Sequence, residues 1–353
     1  MNVKLIRNIM TGLHRSNTRI WIEPTALEAA GFEAGDSISL TVMGDAVILR
    51  GAEQETGHSV SKRKRPGRAS ARPLFEANNR EITAVLLPRM RIDMLVSDGM
   101  IVIRKERSFD LFVIEKPLLQ GGDFKKLRLY SGPTGAGFAT AAAVSTGLYE
   151  AVGGVDMWPE AVDAYLANFH DGCMYMGDLT RTHPDYIPAA DACWLSPACF
   201  EYSSLGTMTD GIMEGHGPHY ARIILATGAS AVMIEQVPRY FKSTSYQHLK
   251  RLLKPFFPFV KETTIDAYEM GSVASRTRGY AVMFQEHVDF QWPQLPKLPE
   301  HRRKTVAQVL GKGWEDGDWR PIAGTVMEGL LNKRGANNFK ADKNRTLVSL
   351  EDR

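Results

Sequence analysis

A single cysteine, Cys199, stands where an apolar stretch of the sequence ends and a polar, aromatic one begins. The segment Asp191–Leu195 has the small and apolar residues of a buried strand, and Ser196-Pro-Ala-Cys199 follows it directly. Open α/β sheets carry ligands and reacting groups beyond the carboxyl ends of such strands. Cys199 is therefore a candidate nucleophile, although a lone cysteine can also serve as a small apolar residue of a core turn.

Acidic residues end or follow other apolar stretches of the same region. Asp156 and Glu235 each close a predicted strand, and Asp178 follows a glycine. An acid at the position of Asp156 suits the hydroxyl groups of a ribose, or else starts the helix that follows. Asp178 suits the amino group of an adenine, or else belongs to a simple turn.

A glycine-rich turn, Ser131–Gly137, lies between a short apolar strand at 127–130 and a helix-like segment at 138–144. Such a turn lets the backbone approach a ligand and directs amide groups toward it. It carries no Gly-Lys-Ser or Gly-Lys-Thr, so cleavage of a nucleoside triphosphate is not expected. Further helices at 159–169 and 220–227 alternate with strands, which predicts an α/β fold with a doubly wound, mostly parallel sheet.

The first third of the chain contains short strands instead. A turn at Gly44-Asp45 predicts a hairpin within a small β module at residues 1–52, and the turn at Asp98-Gly99 predicts a second β hairpin unit at 73–118. The second unit also contains a predicted strand at 81–88. The two β units resemble each other, which suggests a duplication.

The basic segment 53–72 lies between the β units and contains Ser61-Lys-Arg-Lys-Arg-Pro. It predicts a flexible linker, which is either a solvated tether or an arm that contacts phosphates. The α/β domain is predicted at 124–290, and an extended C-terminal tail at 291–353.

Composition limits the class of protein. The chain has 353 residues, 44% of them hydrophobic, so it can bury a sizeable core, and its net charge of +3 does not by itself indicate nucleic-acid binding. Three irregularly spaced cysteines argue against a disulfide framework or a zinc site and for a reducing cytoplasm. We find neither a signal peptide nor an apolar run of about 18 residues that could cross a membrane.

Several of these segments together resemble the cytosine-C5 DNA methyltransferases. Ser196–Ser203 is similar to that family's catalytic loop, commonly Gly-(Phe/Pro)-Pro-Cys-Gln-x-Phe-Ser, and Ile234–Val237 to its Glu-Asn-Val motif. Met270–Val282 resembles the family's Gly-x-Pro-Gln-x-Arg-x-Arg segment. Tyr130–Gly135 resembles its Phe-x-Gly-x-Gly-Gly loop. Other matching segments are Val155–Met157, Gly177–Leu179 and Ala164–Phe169, so that the resemblance covers residues 125–286.

The resemblance implies a mechanism and a set of site residues. Cys199 would attack C6 of a cytosine flipped out of double-stranded DNA, Glu235 would meet the N3 side of the ring, and Arg276 and Arg278 would hold the base carbonyl and a phosphate. It also implies S-adenosylmethionine as methyl donor and a cytoplasmic enzyme of bacterial or phage origin, as in restriction–modification. The cofactor contacts that it implies are Tyr130, Gly132, Gly135, Asp156, Met157, Asp178, Leu179 and Pro197.

The sequence departs from the family pattern at several positions, which are Thr134, Ala198, Phe200, Gln236 and Ala274. These departures leave open a catalytically inactive DNA-binding regulator with a degenerate methyltransferase fold. An enzyme that methylates RNA or a small pyrimidine is a second alternative.

We find no target-recognition region in the tail. Recognition would then come from a companion subunit of a split enzyme or from the N-terminal β units, or else the chain is a fragment. Residues Ile20–Ile48 resemble the swapped hairpins of AbrB-type regulators, which implies DNA contact and a homodimer. A structural accessory module is the alternative.

Overall fold

The thirteen-stranded sheet is the main feature of the fold, and a second sheet has four strands. A computed structural model of the chain describes residues 2–53, 57–63, 71–109, 126–199, 201–202, 211–272, 276–293, 298–299 and 302. No helix within these ranges is long and apolar enough to cross a membrane. Parts of the predicted linker, second β unit and tail lie outside the described residues, namely 54–56, 64–70, 110–118, 294–297, 300–301 and 303–353.

The chain up to residue 105 is mainly β structure. Its elements are β1 (Leu5–Met10), β2 (Gly12–His14), β3 (Asn17–Ile22), α1 (Pro24–Ala29), β4 (Ser37–Met43), β5 (Ala46–Gly51), β6 (His58–Ser59), β7 (Ser61–Arg63), β8 (Arg72–Asn78), α2 (Arg80–Val85), β9 (Arg91–Ser97) and β10 (Met100–Lys105). Both predicted hairpins, β4–β5 and β9–β10, are confirmed. Gly44 and Gly99 supply the positive φ, 61° and 66°, that such tight turns favour.

The strand predicted at 81–88 is wrong, because Arg80–Val85 form the helix α2. The side chain of Asn79 accepts a hydrogen bond of 2.8 Å from the amide of Ile82 and thereby caps the helix. Ile82 and Leu86, four residues apart, are both completely buried. The cap and this helical spacing outweigh the strand preference of the β-branched residues in the segment.

The structure also corrects the predicted flexible linker at residues 57–63. The short strand β6 pairs with β4, and β7 pairs with β8 so that Arg63 lies opposite Arg72. Val60, between the two short strands, is buried. One apolar residue thus holds a segment whose composition is otherwise typical of a solvated chain.

Most of the remaining strands alternate with helices as the sequence predicts. The elements are β11 (Leu127–Ser131), α3 (Phe138–Ser145), β12 (Tyr149–Asp156), α4 (Pro159–Asn168), β13 (Cys173–Met176), β14 (Ala192–Leu195), α5 (Gly217–Thr227), β15 (Ala231–Gln236), α6 (Thr244–Leu253), β16 (Phe259–Asp266) and β17 (Thr277–Phe284). Within the described residues, no α-helix separates β13 from β14 or β16 from β17. The strands β11 to β15 are parallel to their neighbours in this group, and β17 runs antiparallel to β15.

Helices pack on both faces of this sheet. Successive residues of a strand point to opposite sides, so neighbouring residues of β11 face different helices. On β11, Leu129 packs in a cluster with Ala143 of α3, whereas the next residue, Tyr130, packs in the large core that contains Tyr220 of α5. The predicted fold class, a doubly wound and mostly parallel α/β sheet preceded by β structure, is confirmed.

Six of the N-terminal strands, β1, β4, β5, β6, β9 and β10, continue the same sheet, whereas β2, β3, β7 and β8 form the four-stranded sheet. The central part of the strand order is β14-β11-β12-β13-β1-β9-β10-β5. Strand β1 is parallel to β13, with Leu5 opposite Met174, and antiparallel to β9, with Leu5 also opposite Val96. Hydrogen bonds therefore cross the predicted boundary at residue 124, and the division of the chain into units stays a prediction.

Candidate active site

A cavity of about 540 Å³ lies at the carboxyl ends of β11, β12, β13 and β14. Its wall contains the predicted nucleophile Cys199. Six of the eight predicted cofactor contacts also line it, and these are Gly135, Asp156, Met157, Asp178, Leu179 and Pro197. The structure thus brings together segments that are up to 64 positions apart, from Gly135 to Cys199, because parallel strands end at one edge of the sheet.

The glycine-rich turn after β11 packs against the end of β12. The amide of Gly132 donates to the carbonyl of Trp194 over 2.9 Å, and the amide of Thr134 donates to the carbonyl of Val155 over 3.0 Å. A Cβ atom on Gly132 would lie 2.5 Å from Cγ1 of Val155, so a larger residue would push the turn away. Gly132 lies behind the cavity wall, and Gly135 lies on it.

Asp156, the last residue of β12, holds the glycine-rich turn in place. One carboxylate oxygen accepts a hydrogen bond of 2.8 Å from the amide of Gly135, and the other accepts one of 3.0 Å from the amide of Trp158. The second bond forms a turn just before α4, whose N-cap residue Trp158 receives no side-chain cap. A carboxylate has about four acceptor positions, so Asp156 retains capacity for a hydroxyl group in the cavity.

Asp178 takes part in a turn as well. Its Oδ1 accepts hydrogen bonds from the amide and the hydroxyl of Thr180, at 2.9 and 2.7 Å. These bonds cap the 3-10 turn Leu179–Arg181 and leave the exposed carboxylate of Asp178 on the cavity wall.

Tyr130 occupies a different place from the other predicted contacts. Its side chain is 2% exposed and packs in the core beneath the cavity. Burial raises the pKa of its phenol well above the usual value. The structure therefore does not bring the ring of Tyr130 to the cavity wall.

The three cysteines differ in accessibility. Cys173 and Cys193 are buried in strands, and burial raises the pKa of each thiol to about 12. Cys199 is exposed, in the loop that follows β14. Only an accessible thiol can meet a ligand in the cavity, so this comparison singles out Cys199 among the three.

Gln236 supports the loop that carries Cys199. It is 4% exposed, and its side-chain amide donates a hydrogen bond to the carbonyl of Pro197, two residues before the cysteine. The sequence marked Gln236 only as a departure from the family pattern. In the structure its amide group anchors the loop that carries Cys199 to the end of β15.

Glu235 lies next to two cations at the ends of β15 and β17. The Nε atom of Arg278 is 3.1 Å from Oε1 of Glu235, and Nη2 of Arg276 is 3.9 Å from the same oxygen. Burial lowers the pKa of Arg278 from its ordinary value, the charge of Arg276 lowers it further, and the carboxylate of Glu235 raises it. Glu235 and the two arginines thus form one charged cluster, and Gln236, the residue after Glu235, bonds to the loop that carries Cys199.

Sequence reasoning missed several cavity residues. Trp158 is 67% exposed and lines the cavity beside Met157, and His216 and Tyr220 line it from the start of α5. An aromatic ring directly after a predicted contact residue was a usable signal for Trp158. For His216 there was no comparable signal, because 17 positions separate it from Cys199.

The doubly wound sheet, with a ligand-sized cavity at the carboxyl ends of its central strands, defines a Rossmann-like α/β fold. A family model described as C-5 cytosine-specific DNA methylase matches residues 124–344. This match covers more than half of the chain, and the chain therefore belongs to the C-5 cytosine-specific DNA methylase family. No curated protein matches the chain.

Solved structures with a similar fold share little sequence with the chain. An E. coli prophage protein described as a DNA modification methyltransferase is 16% identical, with 49% of this chain and 51% of that one covered and a TM-score of 0.42. The S. pombe Dnmt2 methyltransferase is 17% identical, with 47% and 51% covered and a TM-score of 0.38. The Entamoeba histolytica methyltransferase EhMeth is 16% identical, with 50% and 58% covered and a TM-score of 0.39. The chain spans about half the length of these proteins.

Proposed function

We propose that the chain is an S-adenosylmethionine-dependent DNA cytosine-C5 methyltransferase that uses Cys199 as its nucleophile. One observation carries the proposal. The accessible thiol of this family member lies on the wall of a ligand-sized cavity, directly after β14, and the neighbouring parallel strand β15 carries a carboxylate that pairs with two arginines.

The cavity suits S-adenosylmethionine in size and chemistry. Its volume of about 540 Å³ is in the usual range for small-molecule sites, ~300–1,000 Å³. Asp156 would accept from the ribose hydroxyls, Asp178 from the adenine amino group, and the exposed ring of Trp158 would cover the flat purine. When bound, this cofactor supplies an electrophilic methyl group for C5 of the cytosine.

The reaction requires Cys199 to form and then break one bond. The thiolate Sγ adds to C6 of the cytosine, and the electron pair of the C5–C6 double bond makes C5 nucleophilic. After C5 carries the methyl group, a base removes the C5 proton, the double bond forms again, and Sγ leaves C6. The thiolate is thus regenerated in each turnover.

Glu235 would stabilise the ring while the cysteine is attached. Addition of the thiolate places negative charge on the ring, and a hydrogen bond or proton from the carboxyl group at N3 offsets that charge. Arg278, 3.1 Å from the carboxylate, orients it. Arg276 is 49% exposed and remains accessible to the base carbonyl or a phosphate.

The target cytosine must leave the duplex before Cys199 can reach C6. Target recognition would come from a companion subunit, as one sequence prediction has it, or from the N-terminal β structure. The inactive regulator and an enzyme for RNA or free pyrimidines remain rival functions, and the test of activity distinguishes them.

Transfer of a labelled methyl group from S-adenosylmethionine to unmethylated duplex DNA tests the proposal. We expect label at cytosine C5 with the wild type, none with Cys199→Ala, and undiminished label with the matched variant Cys173→Ala, whose thiol is buried. A duplex with 5-fluorocytosine should trap the wild-type protein covalently, because fluorine cannot leave C5 as a cation. Cofactor binding without transfer to DNA, RNA or nucleotides would instead point to a missing companion subunit, and the absence of both transfer and cofactor binding would support the inactive regulator.

A further inference from the structure

The hairpin β2–β3 begins at the end of β1, on the side of the large sheet where the parallel strands end and the candidate active site lies. Strand β1 is parallel to β13, with Arg7 opposite Met176, so the two strands end on the same side. The hairpin follows directly after Met10, the last residue of β1. Its position is thus set by the same parallel strand order that places the cavity.

The strand order gives the distance across the sheet between β14, which precedes Cys199, and β1, which precedes the hairpin. From β14, which precedes Cys199, to β1 there are four steps across β11, β12 and β13. At about 4.8 Å a step this is roughly 19 Å. A DNA duplex carries one phosphate charge per ~1.7 Å of axis, so a duplex over the cavity presents roughly ten phosphates within this span.

The small sheet that contains the hairpin displays cations. Its order is β2-β3-β8-β7. Arg15 at the hairpin tip and Lys62 and Arg63 on β7 are exposed. Arg19 pairs with Glu76 at 2.7 Å. Within the described parts of the chain, no carboxylate forms an ion pair with Arg15, Lys62 or Arg63.

A tryptophan holds two of these arginines in place. The guanidinium carbon of Arg19 lies 4.6 Å from the ring centre of Trp21, and that of Arg63 lies 5.3 Å from the same ring. A guanidinium stacked on an aromatic face keeps its planar set of N–H donors available at its edge. That geometry suits the oxygens of a phosphate.

The hairpin tip has an unfavourable backbone conformation for its residues. Arg15 has a φ of 47° and Ser16 a φ of 69°, in a two-residue turn where Asn-Gly is preferred. An exposed arginine gains no packing energy that would compensate. Strain retained at one surface position is a sign of function at that position.

We propose that Arg15, Arg19, Trp21, Lys62 and Arg63, which we name the cationic sheet surface, bind the phosphate backbone of the duplex whose flipped base enters the cavity. The inference rests on the proposed function, because it takes double-stranded DNA as the substrate. It assigns to the N-terminal β structure a part of DNA binding in this chain.

The salt dependence of DNA binding tests the inference. The probe is a fluorescent 30-base-pair duplex, and every protein carries Cys199→Ala so that no reaction occurs. The test variant combines Arg15→Asn, Lys62→Gln and Arg63→Gln. Asparagine suits a positive φ better than arginine does, so the first change removes a charge without harming the turn.

A matched variant makes the same charge change on the opposite side of the sheet. It combines Lys126→Gln, Arg251→Gln and Lys254→Gln. All three residues are exposed; Lys126 directly precedes β11, and the other two lie at the end of α6. Its net charge equals that of the test variant, so a general effect of charge on DNA binding appears equally in both.

We expect the slope of log K against log salt to decrease in magnitude by about 2.7 in the test variant, 0.9 for each lost phosphate contact, and affinity at 0.1 M salt to fall about tenfold or more. The matched variant should keep most of the wild-type slope. Equal slopes in the two variants, or a wild-type slope in the test variant, would overturn the inference.

Failure of the inference is distinguishable from failure of the proposed function. Wild-type protein that methylates duplex DNA while the test variant binds with an unchanged slope refutes only the role of the cationic sheet surface. Wild-type protein that neither methylates nor binds the duplex refutes both. Loss of RNA binding alone in the test variant would assign the surface to RNA and overturn the inference.

Discussion

The carboxylate of Glu235 and the guanidinium of Arg278 meet through a single 3.1 Å contact between Oε1 and Nε, on neighbouring antiparallel strands. The second arginine, Arg276, is 3.9 Å from the same oxygen. Both arginines contact Oε1 of Glu235, and Oε2 takes part in neither ion pair. Oε2 can therefore meet a ligand, so we expect different effects when Glu235 and Arg278 are replaced.

Replacement of Glu235 should lower the rate of methyl transfer more than it weakens substrate binding. We expect Glu235→Gln to lower kcat for methyl transfer by about 10²-fold or more, since general acid catalysis contributes about that much. Arg278→Lys keeps the charge but loses the planar donor group, and about a tenfold loss in kcat is expected. Glu286→Gln, an exposed acid after β17, is the control. Equal losses in all three variants would contradict the assigned roles.

The exposed indole of Trp158 should contribute to cofactor affinity. Stacking of a base on an aromatic side chain is worth about 1–3 kcal/mol, so Trp158→Ala should raise the Kd for S-adenosylmethionine about tenfold, and Trp158→Phe should recover most of the affinity. Calorimetric titration measures both values. Phe138→Ala serves as a control, because that ring is 83% exposed but does not line the cavity. A wild-type Kd for Trp158→Ala would exclude stacking.

Arg222 should be essential for stability although it lies outside the cavity. Its side chain is buried, donates to the carbonyls of Leu179 (3.2 Å) and Thr182, and lies 4.3 Å from the ring of Phe109. Arg222→Ala leaves both carbonyls without this donor and opens a cavity, so we expect a loss of about 3 kcal/mol or more.

Urea unfolding measures this loss, and Arg251→Ala on the exposed side of α6 provides the comparison. Because Leu179 also lines the cavity, the variant at position 222 should bind S-adenosylmethionine more weakly even under conditions where it is folded. Unchanged stability in that variant would show that the guanidinium gains no net energy from its carbonyl partners.

Acid should destabilise the fold through two histidines of the α5 region. Burial lowers the pKa of His219 to about 4 and also lowers that of His216. Between this value and the unfolded value of about 6.5, the unfolded chain binds protons that the native chain does not. Stability is therefore complete above about pH 6.5 and decreases as the pH falls toward 4.

For the partly exposed His219 we expect a contribution of about 1–2 kcal/mol. Urea unfolding at pH 5 and pH 7 measures it, and His219→Gln should reduce the difference between the two stabilities. His170→Gln, at an exposed position, should not. A steeper acid dependence in His219→Gln would contradict the sign of this effect.

The elements that the sequence predicted correctly, in the β units and in the α/β domain, each have a local cause. Tight turns at Gly44 and Gly99, apolar strands and a proline at the start of α4 all act within a few residues. The same reasoning failed at α2, where the cap by Asn79 outweighs β propensity. The pairing of β1 with β13 has no local cause at all, so the sequence could not reveal that one sheet joins both regions.

The candidate site shows the same difference between residues with a local signal and residues placed by long-range packing. Cys199 and the acids at strand ends were predictable because strand ends are visible in the sequence. The support of the Cys199 loop by Gln236, and the approach of His216 to the cavity, depend on the packing of β15 and α5. Such contacts join distant positions through the core, and a single sequence carries no periodic signal for them.

The place of β1 also fixes an order of events during synthesis. The ribosome releases β1 well before its parallel neighbour β13, which ends only at Met176. At about 5–20 residues per second, translation of the intervening segment takes roughly 10 to 30 seconds. During this interval β1 can pair only with β9, and its other edge stays open. The nascent chain therefore acquires its complete sheet late, when the cavity at the carboxyl ends of the strands is itself being formed.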